Sequence, residues 1–134
     1  MRYLLDTNIC IYVIKRKPPQ VLQHFQEYSF GEIGVSSITV AELTYGVQKS
    51  NYKKKNRVAL EQFLLPLEIA SFDEQAAIAY GSLRAGLESK GTPIGSLDTL
   101  IAAQALSLSV TLVTNNFDEF SRVPGLIVEN WVTE

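Results

Sequence analysis

Short apolar runs alternate along the chain with longer stretches in which apolar residues recur every three or four positions. The short runs predict buried strands, and the periodic stretches predict amphipathic helices. The predicted strands span residues 3–5, 33–35, 67–72, 110–113 and 126–128. The predicted helices span residues 8–16, 19–25, 36–46, 73–87 and 97–108, with a further helical segment, 60–64, before Pro66. Strands that alternate with helices predict an α/β fold whose mostly parallel sheet is covered on both faces.

Several predicted helices have recognisable ends. Asn8 is the expected cap of the first helix, and Pro18 ends it. Asp73 is a good cap for the long helix 73–87, and Gly91 followed by Pro93 is a typical helix stop. These signals place the polar residues between the elements rather than inside them.

Length and composition are those of one globular domain. The 134 residues are 46% hydrophobic and 19% charged, and no repeat or linker divides them. We therefore expect a single domain over residues 1–134. The N-terminus lacks the layout of a secretory signal, and polar residues interrupt the most apolar segment, 97–113. A soluble, cytoplasmic protein without membrane association is expected.

The content of cysteine, histidine and charged residues argues against several classes of function. The single cysteine, Cys10, cannot form an internal disulfide, and its apolar neighbours favour a buried structural thiol. One cysteine and one histidine, His24, leave too few soft ligands for a zinc site within one chain. The net charge of −2 gives no support for nucleic-acid binding, although it does not exclude it. Two basic clusters, 15–17 and 53–57, are explained as readily by solvated helix ends.

Polar residues follow two of the predicted strands directly. Asp6 comes after the first strand, and Thr114, Asn115 and Asn116 come after the strand 110–113, with Glu119 one helical turn later. In open α/β sheets, ligands bind beyond the carboxyl ends of the strands, where strand order reverses. Asp6 is therefore a candidate functional residue. A polar turn that leads into a helix explains the second group equally simply.

Two further acids lie in the first turns of predicted helices. Glu42 follows Thr39 at the spacing of a capping box, which accounts for it without any catalytic role. Asp98 is favoured by the helix dipole in any protein. Its apolar neighbours nevertheless predict a packed helix end without a cation nearby, and this favours a functional role. Those neighbours are Ile94, Leu97, Leu100 and Ile101.

The acids can all lie at one edge of the sheet. Two carboxylates about 4 Å apart repel each other by roughly 4 kcal/mol at an effective dielectric constant of 20, so such a cluster needs protons or a cation. Oxygen ligands of this kind suit Mg²⁺ or Mn²⁺. The chemistry available to such a site is metal-assisted attack of water, most plausibly on a phosphodiester.

Four segments, in order and spread along the chain, resemble the PIN-domain ribonucleases and, within them, the VapC toxins of bacterial toxin–antitoxin pairs. The segments are YLLDTNICIY, SSITVAELTYGV, KGTPIGSLDTLIAAQA and LVTNNFDEFSRVPGLIVENW. The resemblance implies a three-layer α/β/α sandwich, PIN-like, with a mostly parallel central sheet and an acidic pocket that holds Mg²⁺ or Mn²⁺.

The resemblance also assigns roles to residues of this chain. Asp6 and Asp98 match the principal metal-binding aspartates, and Glu42 matches the active-site glutamate; these three are the expected catalytic residues. The family's fourth acidic position falls on Asn116, whose amide is a weaker ligand, and Glu119 could take its place. Thr114 and Asn115 could position water or phosphate through hydrogen bonds.

The implied activity is metal-dependent endoribonuclease cleavage that inhibits translation, with a 5′-phosphate and a 3′-hydroxyl as products. The expected substrate is tRNA, in particular the anticodon loop of initiator tRNA. The implied partners are a VapB-type antitoxin, which alone contacts operator DNA, and a second copy of the chain, with larger hetero-oligomers when the antitoxin binds. Lys15, Lys17 and Lys53 become candidates for contact with the RNA backbone.

Two other functions stay open from the residues alone. A receiver-like domain could use Asp6 as a phosphoacceptor, but Asp6 has no acidic neighbour and no lysine follows Lys90. A non-catalytic PIN-like module that binds RNA or protein is kept open by Asn116. Stabilisation by a divalent cation would distinguish the catalytic site from both alternatives.

Overall fold

The computed structural model describes residues 1–29 and 31–132, and a parallel five-stranded sheet lies at the centre of this part of the chain. In chain order the strands are β1 (Tyr3–Leu5), β2 (Ile33–Ser36), β3 (Glu68–Ala70), β4 (Thr111–Val113) and β5 (Val128–Glu129). Their order across the sheet is β3-β2-β1-β4-β5. The sheet therefore grows outward from β1 in one direction and then in the other, so strand order reverses between β1 and β4.

Helices cover both faces of the sheet, which confirms the predicted α/β/α sandwich. They are α1 (Thr7–Lys15), α2 (Pro19–Gln26), α3 (Ser37–Gln48), α4 (Lys53–Leu64), α5 (Glu74–Ser89), α6 (Ser96–Leu108) and α7 (Phe117–Phe120). Successive residues of β1 point to opposite faces. Tyr3 and Leu5 join a core with α1 to α4, whereas Leu4 joins a second core with α5 to α7.

Most predicted elements are present, with shifted ends. The strand predicted over 67–72 is shortened to β3, and the last strand begins two residues later than predicted and ends one residue later. The helix before Pro66 begins at Lys53 rather than near Leu60. Its first two turns carry mainly charged residues on an exposed surface, so they show no apolar period from which a helix start could be predicted.

Two predicted helix caps were wrong. The cap of α1 is Asp6 and not Asn8, since Asp6 Oδ1 accepts a hydrogen bond from the Ile9 amide at 2.9 Å. The cap of α3 is Ser36, whose hydroxyl accepts from the Ile38 amide at 3.0 Å. The capping-box explanation for Glu42 therefore fails, and Glu42 is free for another role.

The buried position predicted for Cys10 is confirmed. Cys10 is fully buried in the core beside α1. His24 is half-buried, and its ring stacks on Trp131 with 5.5 Å between ring centroids. Across the described ranges, no helix combines the length and the apolar character that crossing a membrane requires.

Candidate active site

Asp6 lies at the point where strand order reverses. It follows β1 directly, is only 5% exposed, and also accepts a hydrogen bond at Oδ2 from the hydroxyl of Thr114, which follows β4. Burial raises the pKa of Asp6, and the hydrogen bonds from Thr114 and Ile9 oppose that rise. Both oxygens of Asp6 thus have partners, and the side chain is held in one orientation between the two central strands.

Glu42 reaches the same edge of the sheet from α3. The hydroxyl of Thr7, the first residue of α1, donates to Glu42 Oε1 at 2.7 Å. Since Thr7 immediately follows Asp6, this bond places Glu42 near Asp6, and the charge of Glu42 contributes to the raised pKa of Asp6. Thr7 therefore orients Glu42, a role that the sequence did not suggest.

Asp98 and Glu119 lie beside each other at the starts of α6 and α7. Glu119 Oε1 accepts from the Gly95 amide at 2.6 Å, and Oε2 accepts from Asn116 Nδ2 at 2.9 Å. The Gly95 hydrogen bond in particular holds the pKa of Glu119 below its usual value. Burial, followed by the charge of Glu119, raises the pKa of Asp98 to about 7. The proton that the pair shares therefore resides on Asp98.

The two asparagines in the polar turn after β4 have different partners: Asn116 contacts Glu119, and Asn115 contacts Asn130. The Asn116 amide N–H donates to the Thr114 hydroxyl at 2.9 Å, and its side chain holds Glu119. Asn116 therefore positions Glu119 instead of presenting its own oxygen to the site. Asn115 is exposed, and its side-chain oxygen accepts from Asn130 Nδ2 at 3.1 Å.

Gly95 is a second residue that the sequence analysis missed. A Cβ atom at this position would lie 3.4 Å from Glu119 Oε1 and 3.7 Å from Asp98 Oδ2. Glycine thus lets the backbone amide approach Glu119 and keeps space beside the two carboxylates. The only signal for it in the sequence is a glycine just before a helix that carries an acid in its first turn.

The candidate basic residues lie outside the acidic cluster. Lys15, Lys17 and Lys53 are all exposed. Lys15 lines a cavity of about 310 Å³ between α1, α3 and α4, and Glu42 and Asn56 line the same cavity. Lys15 therefore lines the same cavity as one candidate acid, whereas Lys17 follows the end of α1 and Lys53 begins α4.

The donor set suits a hard divalent cation, because it consists of carboxylate oxygens beside an open position at Gly95. Asp98 retains a proton where such a cation would compete with it. Within residues 1–29 and 31–132, however, no three acidic, histidine or cysteine side chains converge closely enough to share one ion. Asp6 and Glu42 are turned toward Thr114 and Thr7, so an ion would require at least one of them to rotate inward.

Comparison of the sequence with known proteins identifies a matching family and similar relatives. The PIN domain family model matches residues 3–126. The chain is 47% identical over 132 residues to Ribonuclease VapC2 of Rickettsia felis, covering 98% of each chain. It is 43% identical over 131 residues to the tRNA(fMet)-specific endonuclease VapC of Salmonella typhimurium, again covering 98% of each.

Solved structures give the same result. VapBC2 from Rickettsia felis, bound to a DNA fragment from its promoter, aligns with a TM-score of 0.91 at 46% identity, covering 98% of this chain and 99% of that one. DNA-bound VapBC from Salmonella typhimurium aligns with a TM-score of 0.92 at 43% identity, covering 98% of each chain.

Proposed function

Because the chain belongs to the PIN-domain family, and within it to the VapC ribonucleases of toxin–antitoxin modules, we propose that it is a metal-dependent endoribonuclease that cleaves tRNA. One observation carries the metal dependence. Asp6, Glu42, Asp98 and Glu119 all lie near the reversal of strand order, and burial, together with the charges of the other three, raises the pKa of Asp98 to about 7. A cation at this position would relieve the repulsion that the proton now relieves.

Asp6 and Asp98 would hold the Mg²⁺ or Mn²⁺, with Glu119 beside them in place of the amide of Asn116. When bound, the ion lowers the pKa of a water molecule and neutralises charge on the phosphate oxygens. Thr114 keeps Asp6 oriented at the strand reversal, and Asp98 would hold the ion in its ionised form, which predominates above about pH 7. Glu42, oriented by Thr7, positions the attacking water.

The proposed products are a 5′-phosphate and a 3′-hydroxyl, since water rather than the RNA 2′-hydroxyl attacks the phosphodiester. The proposed substrate is tRNA, in particular the anticodon loop of initiator tRNA. The name of the Salmonella typhimurium relative at 43% identity supports this substrate. A tRNA loop presents unstacked bases, which proteins recognise far more readily than bases inside an RNA duplex.

An uneven charge distribution supports binding of the RNA backbone. Residues 15–57 contain eight of the twelve Lys and Arg residues but three of the 14 acidic residues, so this segment carries +5 and the remainder −7. In the described part of the chain, none of these eight cations forms an ion pair. Lys15, Lys17 and Lys53 are the proposed backbone contacts, and the local charge offsets the net charge of −2.

The proposed partner is a VapB-type antitoxin, through which the complex contacts operator DNA. Both aligned solved structures contain VapBC bound to DNA, which supports this assignment. We further propose a homodimer that forms larger hetero-oligomers with the antitoxin. Its proposed role is to inhibit translation in the cytoplasm until the antitoxin blocks the pocket.

Incubation of the purified protein with a defined tRNA pool tests the proposed function. With Mg²⁺ or Mn²⁺ we expect a discrete cut that is absent with EDTA and in Asp6→Asn, because that variant lacks one carboxylate charge. No cut, with metal still raising the melting temperature, would refute tRNA as the substrate. No cut and no thermal effect of metal would instead support the non-catalytic binding module.

Reversal of charge in the basic segment should weaken RNA binding without altering the chemistry. In Lys15→Glu/Lys53→Glu we expect KM to rise about tenfold at low salt, with kcat nearly unchanged and a weaker dependence of KM on salt. Arg84→Glu/Lys90→Glu, on and just after α5, is the control, because it changes the net charge by the same amount outside the basic segment. An equal effect of the control would show that net charge, and not the location of the charge, determines binding.

A further inference from the structure

Arg122 lies one turn after Glu119, just beyond the end of α7. Its backbone N–H donates to the Glu119 carbonyl at 3.2 Å, so the chain from Glu119 to Arg122 forms a single hydrogen-bonded turn. Residues three apart on such a turn lie on the same face. The Arg122 side chain therefore leaves α7 on the side that carries Glu119.

The segment before α6 places Arg122 a second time. Arg122 Nη1 donates to the Pro93 carbonyl at 3.0 Å, and the Gly95 amide donates to Glu119 Oε1 at 2.6 Å. The Cα atoms of Pro93 and Gly95 are at most about 7 Å apart. The guanidinium and the Glu119 carboxylate therefore bind the same short segment. The Gly95 hydrogen bond is the main cause of the lowered pKa of Glu119, and the charge of Arg122 acts in the same direction.

The positive charge of Arg122 is not neutralised by a direct contact with Glu119. Both carboxylate oxygens of Glu119 already accept hydrogen bonds, one from Gly95 and one from Asn116. Within residues 1–29 and 31–132, Arg122 forms no ion pair. A guanidinium has five N–H donors, and the Pro93 carbonyl accepts from a single nitrogen. Because Arg122 is exposed, its other donors are available to a ligand.

An acidic site needs a cation at its edge if it is to accept RNA. The four carboxylates of the cluster, those of Asp6, Glu42, Asp98 and Glu119, are negative when ionised, and each phosphodiester of the RNA adds a further negative charge. A single divalent ion offsets only half of the charge of the cluster. A guanidinium binds two phosphate oxygens through parallel hydrogen bonds. Arg122 supplies both the charge and the donors.

The chain between Pro93, which binds Arg122, and Asp98 is accessible to a ligand. Residues 95–97 are all exposed. Leu97 is 46% exposed, so the expectation that it packs at the start of α6 was wrong. No large buried side chain therefore separates the acidic cluster from Arg122 along this stretch.

We propose that Arg122 binds a phosphate of the RNA backbone next to the one that is cleaved. The proposal rests on the proposed ribonuclease function and deepens it by assigning a phosphate contact beside the acidic cluster, outside the basic segment 15–57. Arg122 is a positioning residue, because it holds a neighbouring phosphate and leaves the reacting one to the catalytic residues. The competing explanation is a brace that only holds the segment 93–95 through the Pro93 carbonyl.

The salt dependence of tRNA binding separates these two roles. In Asp98→Asn protein, Arg122→Gln should weaken binding of initiator tRNA about tenfold and reduce the slope of log K against log salt by about 0.7, as expected for one lost phosphate contact on a single strand. Arg122→Lys keeps the charge and should keep the slope. Arg2→Gln removes the same charge at the other end of β1 from Asp6, and it should leave the slope unchanged.

Two results of this experiment would overturn the proposal. The first is a slope in Arg122→Gln equal to that of the Asp98→Asn background. The second is an equal loss of binding in Arg122→Gln and Arg122→Lys with equally lowered melting temperatures, which would establish the brace.

Cleavage of tRNA by proteins that retain Asp98 distinguishes this proposal from the proposed function. Arg122→Gln should raise KM about tenfold and change kcat less than about threefold. Normal cleavage with an unaltered KM would refute the Arg122 contact alone. If the wild-type protein cut no RNA, the ribonuclease function would fail, and the salt slope would still decide whether Arg122 binds a phosphate.

Discussion

Asp98→Asn should abolish RNA cleavage and, without metal, melt at a higher temperature than the wild-type protein. Cleavage should fall at least about 1,000-fold, or ~4 kcal/mol of transition-state stabilisation, because an amide is a poorer ligand for Mg²⁺ than a carboxylate. At pH 8, where Asp98 is mainly ionised, stability should rise because the substitution removes a partly buried charge from the vicinity of Glu119, Asp6 and Glu42. The new amide can still donate to Glu119, so the local geometry is retained.

The measurements are cleavage of tRNA in Mg²⁺ or Mn²⁺ and thermal unfolding in EDTA. A gain of about 3–8 °C is expected for a chain of this size if the relieved repulsion is about 1–2 kcal/mol. Asp118→Asn is the matched control, because Asp118 is exposed on the same helix as Glu119 but is no part of the cluster. An Asp98→Asn protein no more stable than wild type would contradict mutual repulsion among the acids.

Metal-free protein should lose stability as the pH rises from about 5 to 8, and Mg²⁺ should remove most of that loss. The pKa of Asp98 is about 7 in the folded state, against a value near 3.8 when it is unperturbed. Between these values the folded state binds the additional proton, so the free energy of unfolding decreases as the pH rises from about 4 to about 7 and levels off above that. Because the group is only half-buried, solvent screening limits the decrease to about 1–2 kcal/mol.

Neighbouring groups help to define the expected pH profile. The raised pKa of Asp6 acts in the same direction as that of Asp98. The lowered pKa of Glu119 instead removes stability when the pH falls below about 4.5, which lies outside this window. Chemical denaturation at pH 5, 6, 7 and 8, with EDTA or Mg²⁺, provides the measurement. Asp98→Asn should show a flatter profile, and an equally steep one would exclude Asp98 as the source.

Local pattern was sufficient to predict where some residues of the candidate site lie. Asp6 and Thr114 follow apolar runs that must be buried, so their place at the ends of strands could be predicted. Predictions failed where partners were distant. Thr114 bonds Asp6 across 108 positions, and Glu119 bonds Gly95 across 24. The helical periodicity of three or four residues, from which the elements were predicted, does not indicate hydrogen bonds between residues so far apart in the chain.

Local sequence pattern predicts the alternation of strands and helices, the burial of Cys10, and the presence of carboxylates after strands or at helix starts. Local periodicity and the hydrophobic effect are sufficient for these features. Three contacts are visible only in the tertiary structure: Asp6 caps α1, the Thr7 hydroxyl donates to Glu42, and the Asn116 side chain donates to Glu119. The physical reason is that strand order brings distant segments together, and each polar group then pairs with whichever donor or acceptor it meets there.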